Sequence, residues 1–288
     1  MSDKIQDIDK HYSIGRIMDS IIQGLKAKGK DINNLKPEDL TPVDEFHTRG
    51  RISTMELAEL FEFKPGLKVL DVGCGIGGSA RYIARTFSCH VVGTDLIQEY
   101  MDAASQLAEL VGMSEHVSFK QGNALELPFD SGSFDLVVTE HVQMNLKDKN
   151  KFYNEIARVL NSKGSMLFHD VFQGAGNGKP YYPVPWDEDG TISSLLTQEE
   201  AKEIIANAGF EVKKWIDKTR DSSDSFKTAA ARVQKSGHPP LGLHILMGDT
   251  AKDKVVNMSK NLEEQKLSIV QGLAEKKSQP DSKLNFPG

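Results

Sequence analysis

Three observations predict an α/β fold, a mostly parallel sheet with helices on both faces. Short apolar segments alternate with helix-length ones from residue 67 to residue 217. A glycine-rich turn joins the first of those strands to the first helix, and a carboxylate closes the second strand. Such alternation favours parallel strands joined by right-handed crossovers.

Ahead of the alternation, Ile17, Ile21, Ile22 and Leu25 recur at helical spacing within residues 14–25, and the lysines around Gly29 end that helix. Residues 33–44 are polar with two prolines and read as a connection to a second helix, 53–63, which Pro65-Gly66 stops. LKVLDVG (67–73) is nearly continuously apolar, as a strand covered on both faces is. Helix 77–87, strand HVVGTDL (90–96), helix 98–111 and strand HVSFKQG (116–122) follow. FDLVVTE (134–140) makes the fourth strand, 149–160 a helix and SMLFHDVF (165–172) the fifth strand. Residues 173–190 are rich in Gly, Pro and aromatics, and the segment is too long for a mere connector. Thr197 and Glu200 are spaced as a capping box for a helix over 197–208, with Gly209 at its stop. FEVKKWID (210–217) is a sixth strand, 226–235 and 250–265 are helical, and LSIVQGLAEKK (267–277) supplies a last strand. The expected organisation is a helical cap over 1–63, a main domain over 64–277 with a helical insertion at about 221–265, and a flexible tail over 278–288.

The 288 residues carry 41 acidic and 35 basic side chains, a formal charge of −6, which argues against nucleic acid as the main partner. Apolar residues at 39% are enough for a core. Two cysteines, Cys74 and Cys89, make no disulfide framework. The charged start lacks the apolar centre of a secretory signal, and no run approaches the roughly 18 apolar residues of a spanning helix. A cytoplasmic chain without a membrane role is expected, and a homodimer is compatible with it.

The strongest chemical signal is VLDVGCGIGG, residues 69–78. Glycines there let the backbone approach a ligand, and the following helix N-terminus favours negative charge. Gly73, Gly75 and Gly78 also satisfy the dinucleotide pattern, so a nicotinamide-binding domain stays open. Asp71, two residues before the first glycine, suits an ammonium group better than a pyrophosphate. Asp95, ending the second strand, can accept from both hydroxyls of a ribose.

Together these residues resemble the class I S-adenosylmethionine-dependent methyltransferases. Their D-x-G-x-G-x-G motif matches Asp71, Gly73, Gly75 and Gly77, their second-strand acid matches Asp95, and Phe134-Asp135 fits the start of their fourth strand. The resemblance covers roughly residues 45–220. It implies a Rossmann-like sheet of seven strands with the last antiparallel, and S-adenosylmethionine as cofactor with S-adenosylhomocysteine as product. It also implies cofactor contacts at Asp71, Gly73, Cys74, Gly75, Gly77, Asp95, Leu96, Asn123, Ala124 and Glu140. One departure is Gly122-Asn123-Ala124, where the family often has Gly-Asp-Ala. The Asn123 carboxamide oxygen can still accept, or Asn123 is simply a turn residue.

FHTRG (46–50), EHVQMN (140–145), the aromatic loop and His11-Tyr12 are similar, more loosely, to the sarcosine/dimethylglycine N-methyltransferase branch and to the C-methylases of quinone synthesis. Methyl transfer from a sulfonium is an in-line displacement, so the protein mainly aligns the partners and excludes water. An amine acceptor needs its lone pair free. His141, at the carboxyl end of the fourth strand, is a candidate base or orienting group, with Gln143 and Asn145 as polar contacts. Arg49, beside His47, could hold a carboxylate bidentately, or form an ordinary ion pair. By the resemblance, Tyr12 closes over the site. The aromatics of residues 181–186 could cover a methylated ammonium through cation–π attraction, a flat ring, or only the domain surface. His169 reads as a core histidine, with a catalytic role as its alternative, and His244 as a residue of the insertion that could face the site. The histidines lack close paired spacing, so no metal cluster is expected.

The expected function is methylation of a small molecule, most simply an amine such as sarcosine or dimethylglycine. The alternatives are a C- or O-methylase of an aromatic or quinone-like ring, a non-catalytic S-adenosylmethionine-binding regulator, and a nicotinamide oxidoreductase.

Overall fold

The computed structural model describes residues 2–277. The chain begins with α1 (Ser2–Tyr12) and α2 (Ile17–Ala27), then α3 (Pro37–Asp44) and α4 (Arg51–Ala58). The α/β alternation follows as β1 (Lys68–Val72), α5 (Gly78–Phe87), β2 (His90–Asp95), α6 (Gln98–Leu110), β3 (Val117–Gln121), β4 (Phe134–Glu140), α7 (Lys149–Val159) and β5 (Leu160–Gln173). The last third contains α8 (Gln198–Asn207), β6 (Phe210–Asp217), α9 (Thr219–Ser236), α10 (His244–Met247), α11 (Ala251–Glu263) and β7 (Leu267–Lys276). No helix among the described residues is long and apolar enough to cross a membrane. The predicted tail lies outside the described residues.

The seven strands form one sheet in the order β3-β2-β1-β4-β5-β7-β6. Its first five strands are parallel, and β7 runs antiparallel between β5 and β6. The order reverses between β1 and β4, which leaves a crevice beyond their carboxyl ends, where open α/β sheets bind ligands. β1, β4 and the stretch 164–172 of β5 are almost wholly buried, as strands covered on both faces are. Leu70, Val137, Met166 and Phe168 meet α7 and α8 on one face, while Val69, Leu136 and Val138 meet α4 and α5 on the other. Covering both faces is what makes the central strands indifferent to period-two patterning.

Three elements depart from the sequence reading. The stretch read as a connection contains α3, because Pro37 occupies the first helical turn, where a missing N–H costs nothing. α1 was not anticipated, since charged residues dominate its sequence and its apolar stripe is only Ile5, Ile8 and Tyr12. The strand read as 165–172 begins at Leu160, since Leu160 already pairs with Phe134 across a register shift. The capping box holds: Thr197 and Glu200 bond one another reciprocally at the start of α8.

The N-terminal helices are tied to the sheet by specific pairs. Arg81 on α5 meets Asp44 at the end of α3 at 2.6 Å, both buried. Glu99 at the start of α6 accepts the N–H groups of Ile14, Gly15 and Ile17, capping α2 across the chain. Gly78 lets α3 approach, because a Cβ there would stand 2.3 Å from the Asp44 carbonyl oxygen.

Candidate functional site: a crevice and an adjoining cavity

The crevice over β1 and β2 is built by the glycine turn. Gly73 and Gly75 have φ of +73° and +53°, so both adopt backbone that other residues resist. The N–H groups of Gly73 and Cys74 donate to Thr94 O at 2.7 and 3.1 Å, locking the turn onto β2. A Cβ at Gly73 would lie 2.2 Å from Val142, whereas at Gly75 it would meet nothing within 4 Å and would project into the crevice. Gly77 does not line the crevice. It is the left-handed cap of α5, packed so closely that a Cβ would stand 2.5 Å from the Phe119 ring.

Asp71 is buried with Oδ2 lacking any hydrogen-bond partner. Burial, then the charges of Glu140 and Asp95, push its carboxyl well above the usual carboxylate range. An orphaned acid in a crevice of acids suits a cationic ligand group. Asp95 Oδ2 accepts Gly75 N–H at 3.1 Å and Oδ1 accepts Ile97 N–H at 3.1 Å, while burial raises its pKa. Cys74, Leu96 and Ala124 line the same crevice, and burial keeps the Cys74 thiol protonated. Asn123 also lines it, with Oδ1 accepting Leu125 N–H at 2.9 Å, so its oxygen is engaged in a local turn.

Glu140, ending β4, has one oxygen on Ser79 Oγ at 2.7 Å and the other 3.3 Å from His47 Nε2 and 3.5 Å from His169 Nδ1. Burial opposes ionisation, but His47, His169 and Ser79 outweigh it and hold the carboxyl at about 2. His141 follows in left-handed backbone, φ +57°, with its N–H donating to His169 O at 2.7 Å. That turn directs its ring to the boundary between the crevice and a second cavity. Its Nε2 is buried without a partner, and burial holds the imidazole in its neutral form. Tyr12, at the end of α1, lines the crevice: its hydroxyl accepts from Asn145 Nδ2 at 2.8 Å and its ring meets Phe46 and Tyr100 edge-on.

The second cavity, about 580 Å³, opens beside the crevice, whose own free volume is about 130 Å³. Its walls are mostly apolar, with Phe46, Trp186, Phe226 and Leu243 among them. Of the aromatic loop, Trp186 does the walling: it is buried, lines both cavities and donates from Nε1 to Ser193 Oγ at 3.1 Å. Tyr181 instead faces α11 and hydrogen-bonds Glu264.

Two expected polar contacts are engaged elsewhere, Arg49 in the ion pair that was its alternative reading. Arg49 lines the second cavity, but its guanidinium is engaged bidentately by Glu56, both bonds at 2.7 Å, because α4 presents that acid seven residues on. Gln143 turns inward, fully buried, with Nε2 donating to Val171 O at 2.6 Å. His169 is a core residue as expected, yet it belongs to a cluster with His47 and Glu140 that sequence spacing did not suggest. His244 stacks on His238 at the edge of the second cavity. Sequence reasoning also missed Ser79 and Thr54, whose hydroxyls reach Glu140. Ser79, in the first turn after the glycines, carried a positional signal; Thr54 carried none.

Residues 70–168 match the family model described as "Methyltransferase domain". Over 130 residues, 45% of the chain, it is 30% identical to the glycine/sarcosine/dimethylglycine N-methyltransferase of Actinopolyspora halophila, covering 23% of that protein. It is 39% identical over 161 residues, 54% of the chain, to sterol 24-C-methyltransferase ERG6B of Gibberella zeae, covering 42% of it. The matches thus span less than half the length of these curated relatives. Among solved structures, the [4+2]-cyclase SpnF superposes with a TM-score of 0.71 at 21% identity, covering 96% of this chain and 97% of that one.

Proposed function

Proceeding from a methyltransferase domain at residues 70–168, we propose that the chain transfers the methyl group of S-adenosylmethionine to a small-molecule acceptor. When bound, that cofactor supplies an electrophilic methyl group on a sulfonium. The observation that carries the reading is the unpartnered Asp71 Oδ2 in the same crevice as Gly75, where a Cβ would meet nothing within 4 Å and the space is left for an amino-acid ammonium group. Asp95 would bind the ribose hydroxyls, and Leu96 and Ala124 would flank the base. Tyr12 and Trp186 exclude water from above. His141 Nε2, a neutral and unpartnered acceptor on the boundary of the two cavities, would take a hydrogen bond from the acceptor's nucleophilic group and aim it at the crevice.

The acceptor itself fits the second cavity. A volume of about 580 Å³ with apolar walls favours a bulky, largely apolar molecule bearing one nucleophilic nitrogen, oxygen or carbon. A small amine such as sarcosine or dimethylglycine is the second reading, favoured by the likeness to the Actinopolyspora enzyme. Against it, the arginine expected to hold its carboxylate is already paired with Glu56. The test is turnover of S-adenosylmethionine to S-adenosylhomocysteine with a panel of glycine derivatives, alkaloid amines, phenols and isoprenoids. Products of the bulky acceptors support the first reading, and products of the glycine series alone overturn it. Donor binding without turnover on any member would favour a regulator.

A further inference from the structure

Three side chains far apart in sequence bring electron pairs to one point beneath the crevice, beside His141. The ring of His47, on the loop before α4, the carboxylate of Glu140, at the end of β4, and the ring of His169, within β5, are all buried. Their ligand atoms lie within 4.8 Å of one another. We propose that His47, Glu140 and His169 hold a divalent transition-metal ion of the zinc class, with a remaining coordination position beside His141.

Two of the three separations suit such an ion, and the two imidazole nitrogens, within 4.8 Å of each other, close to that spacing on binding. Ligands about 2.0–2.1 Å from a tetrahedral metal lie about 3.3–3.4 Å apart. The two contacts to Glu140 Oε2 are 3.3 Å from His47 Nε2 and 3.5 Å from His169 Nδ1. Hydrogen bonding leaves these atoms available. Glu140 Oε1 is served by the Ser79 hydroxyl at 2.7 Å and by Thr54 at 3.4 Å, while Oε2 accepts no hydrogen bond. Both ring nitrogens of His169 are buried without a hydrogen-bond partner. His47 Nδ1 lies 3.4 Å from Thr48 O, and the tautomer that donates there leaves Nε2 as a lone pair. This is the outer-sphere arrangement that orients histidine ligands, with Thr54 Oγ1 at 3.1 Å as the competing partner of Nε2. The donor set of two imidazoles and one carboxylate suits zinc and its neighbours over calcium or magnesium, which take oxygen.

The site does not depend on the methyl-transfer reading, and its test uses neither donor nor acceptor. The full chain is stripped with a chelator and titrated with Zn²⁺ by calorimetry, and with Co²⁺ by visible absorption. The expected result is one equivalent bound, with Co²⁺ bands of a low-coordinate nitrogen–oxygen site. Glu140→Gln and His47→Gln each weaken binding about 100-fold or more, since outer-sphere partners alone account for 10- to 100-fold. Circular dichroism checks that each variant is folded. His47→Gln lies on a loop and carries the test should Glu140→Gln fail to fold. Absence of stoichiometric binding by the unmodified chain overturns the proposal. So does binding unchanged in His47→Gln, as capture by the stacked His238 and His244 would give. S-adenosylmethionine binding, measured separately, reports on the other reading.

Discussion

The Asp95 carboxylate accepts the backbone N–H of Gly75 at 3.1 Å, so the acid ending β2 and the glycine turn after β1 hold each other in place. The same carboxylate takes Ile97 N–H through its other oxygen, which fixes its orientation toward the crevice. Asp95→Ala therefore removes both the ribose acceptor and the latch on the turn. A charged hydrogen bond contributes about 1.5–3 kcal/mol, so the loss of even one should make S-adenosylmethionine bind roughly 10- to 150-fold more weakly. Calorimetric titration checks this, and an unchanged Kd removes Asp95 from the cofactor site.

Gly73 and Val142 form a second coupled pair. An added methyl at Gly73 stands 2.2 Å from Val142 Cγ2, and the backbone there has φ +73°. Gly73→Ala should cost about 2–3 kcal/mol, part steric and part conformational. In a Val142→Ala background the steric part disappears, so the cost should fall by about 1 kcal/mol. Urea unfolding of the four proteins gives the cycle, and strict additivity would mean that the clash relaxes without Val142.

How much of this was legible in the sequence follows from the range of each interaction. The strands and the glycine turn are written in local apolar runs and in residue types that only the backbone constrains, so they were read to within a few residues. α3 was hidden because prolines signal a break unless their place in the helix is known: Pro37 sits in the tolerant first turn, and Pro42 is carried inside the helix. The fate of Arg49 depends on Glu56 lying one helical turn into α4, a geometry that opens only once Gly50 turns the chain. The meeting of His47, Glu140 and His169 depends on sheet order, because β4 and β5 are neighbours and α4 packs across β5. No spacing along the chain records that.

Acid stability should report on Glu56. Its bonds to Arg49 come first, opposed by desolvation and helped by Lys218, and they hold its carboxyl at about 2 in the folded chain. A depressed carboxylate stabilises the fold above the unfolded value of about 4.3, and that contribution is lost as pH falls toward 2. Partial exposure and screening reduce it to about 1–2 kcal/mol. Glu56→Gln should then be less stable than the unmodified chain at pH 7 by that amount, with the gap closing between pH 4.5 and pH 2. Denaturant midpoints across that window measure it, and a constant gap would mean that the ion pair contributes nothing to folding.

Tyr12 tests whether α1 acts as a cover. Tyr12→Phe keeps the edge-on contacts with Phe46 and Tyr100 and loses only the bond to Asn145 Nδ2. A loss of about 1 kcal/mol is expected in stability, with a donor Kd only a few-fold weaker. Tyr12→Ala removes the ring from the crevice wall and should weaken donor binding about tenfold or more. If both variants bind the donor like the unmodified chain, α1 does not close over the occupied site.

The second cavity can be reduced without touching the crevice. Ala229 lines it from α9, is only half-buried, and has no part in the crevice wall. Ala229→Trp should fill part of the volume while leaving the core elements unstrained, so the donor Kd stays unchanged. A bulky acceptor then loses apolar contact and room, and its KM should rise about tenfold, since even one misplaced methylene changes recognition 10- to 200-fold. A small acceptor such as sarcosine would be unaffected. Comparing the two KM values in the same variant separates an acceptor seated in this cavity from one held wholly within the crevice.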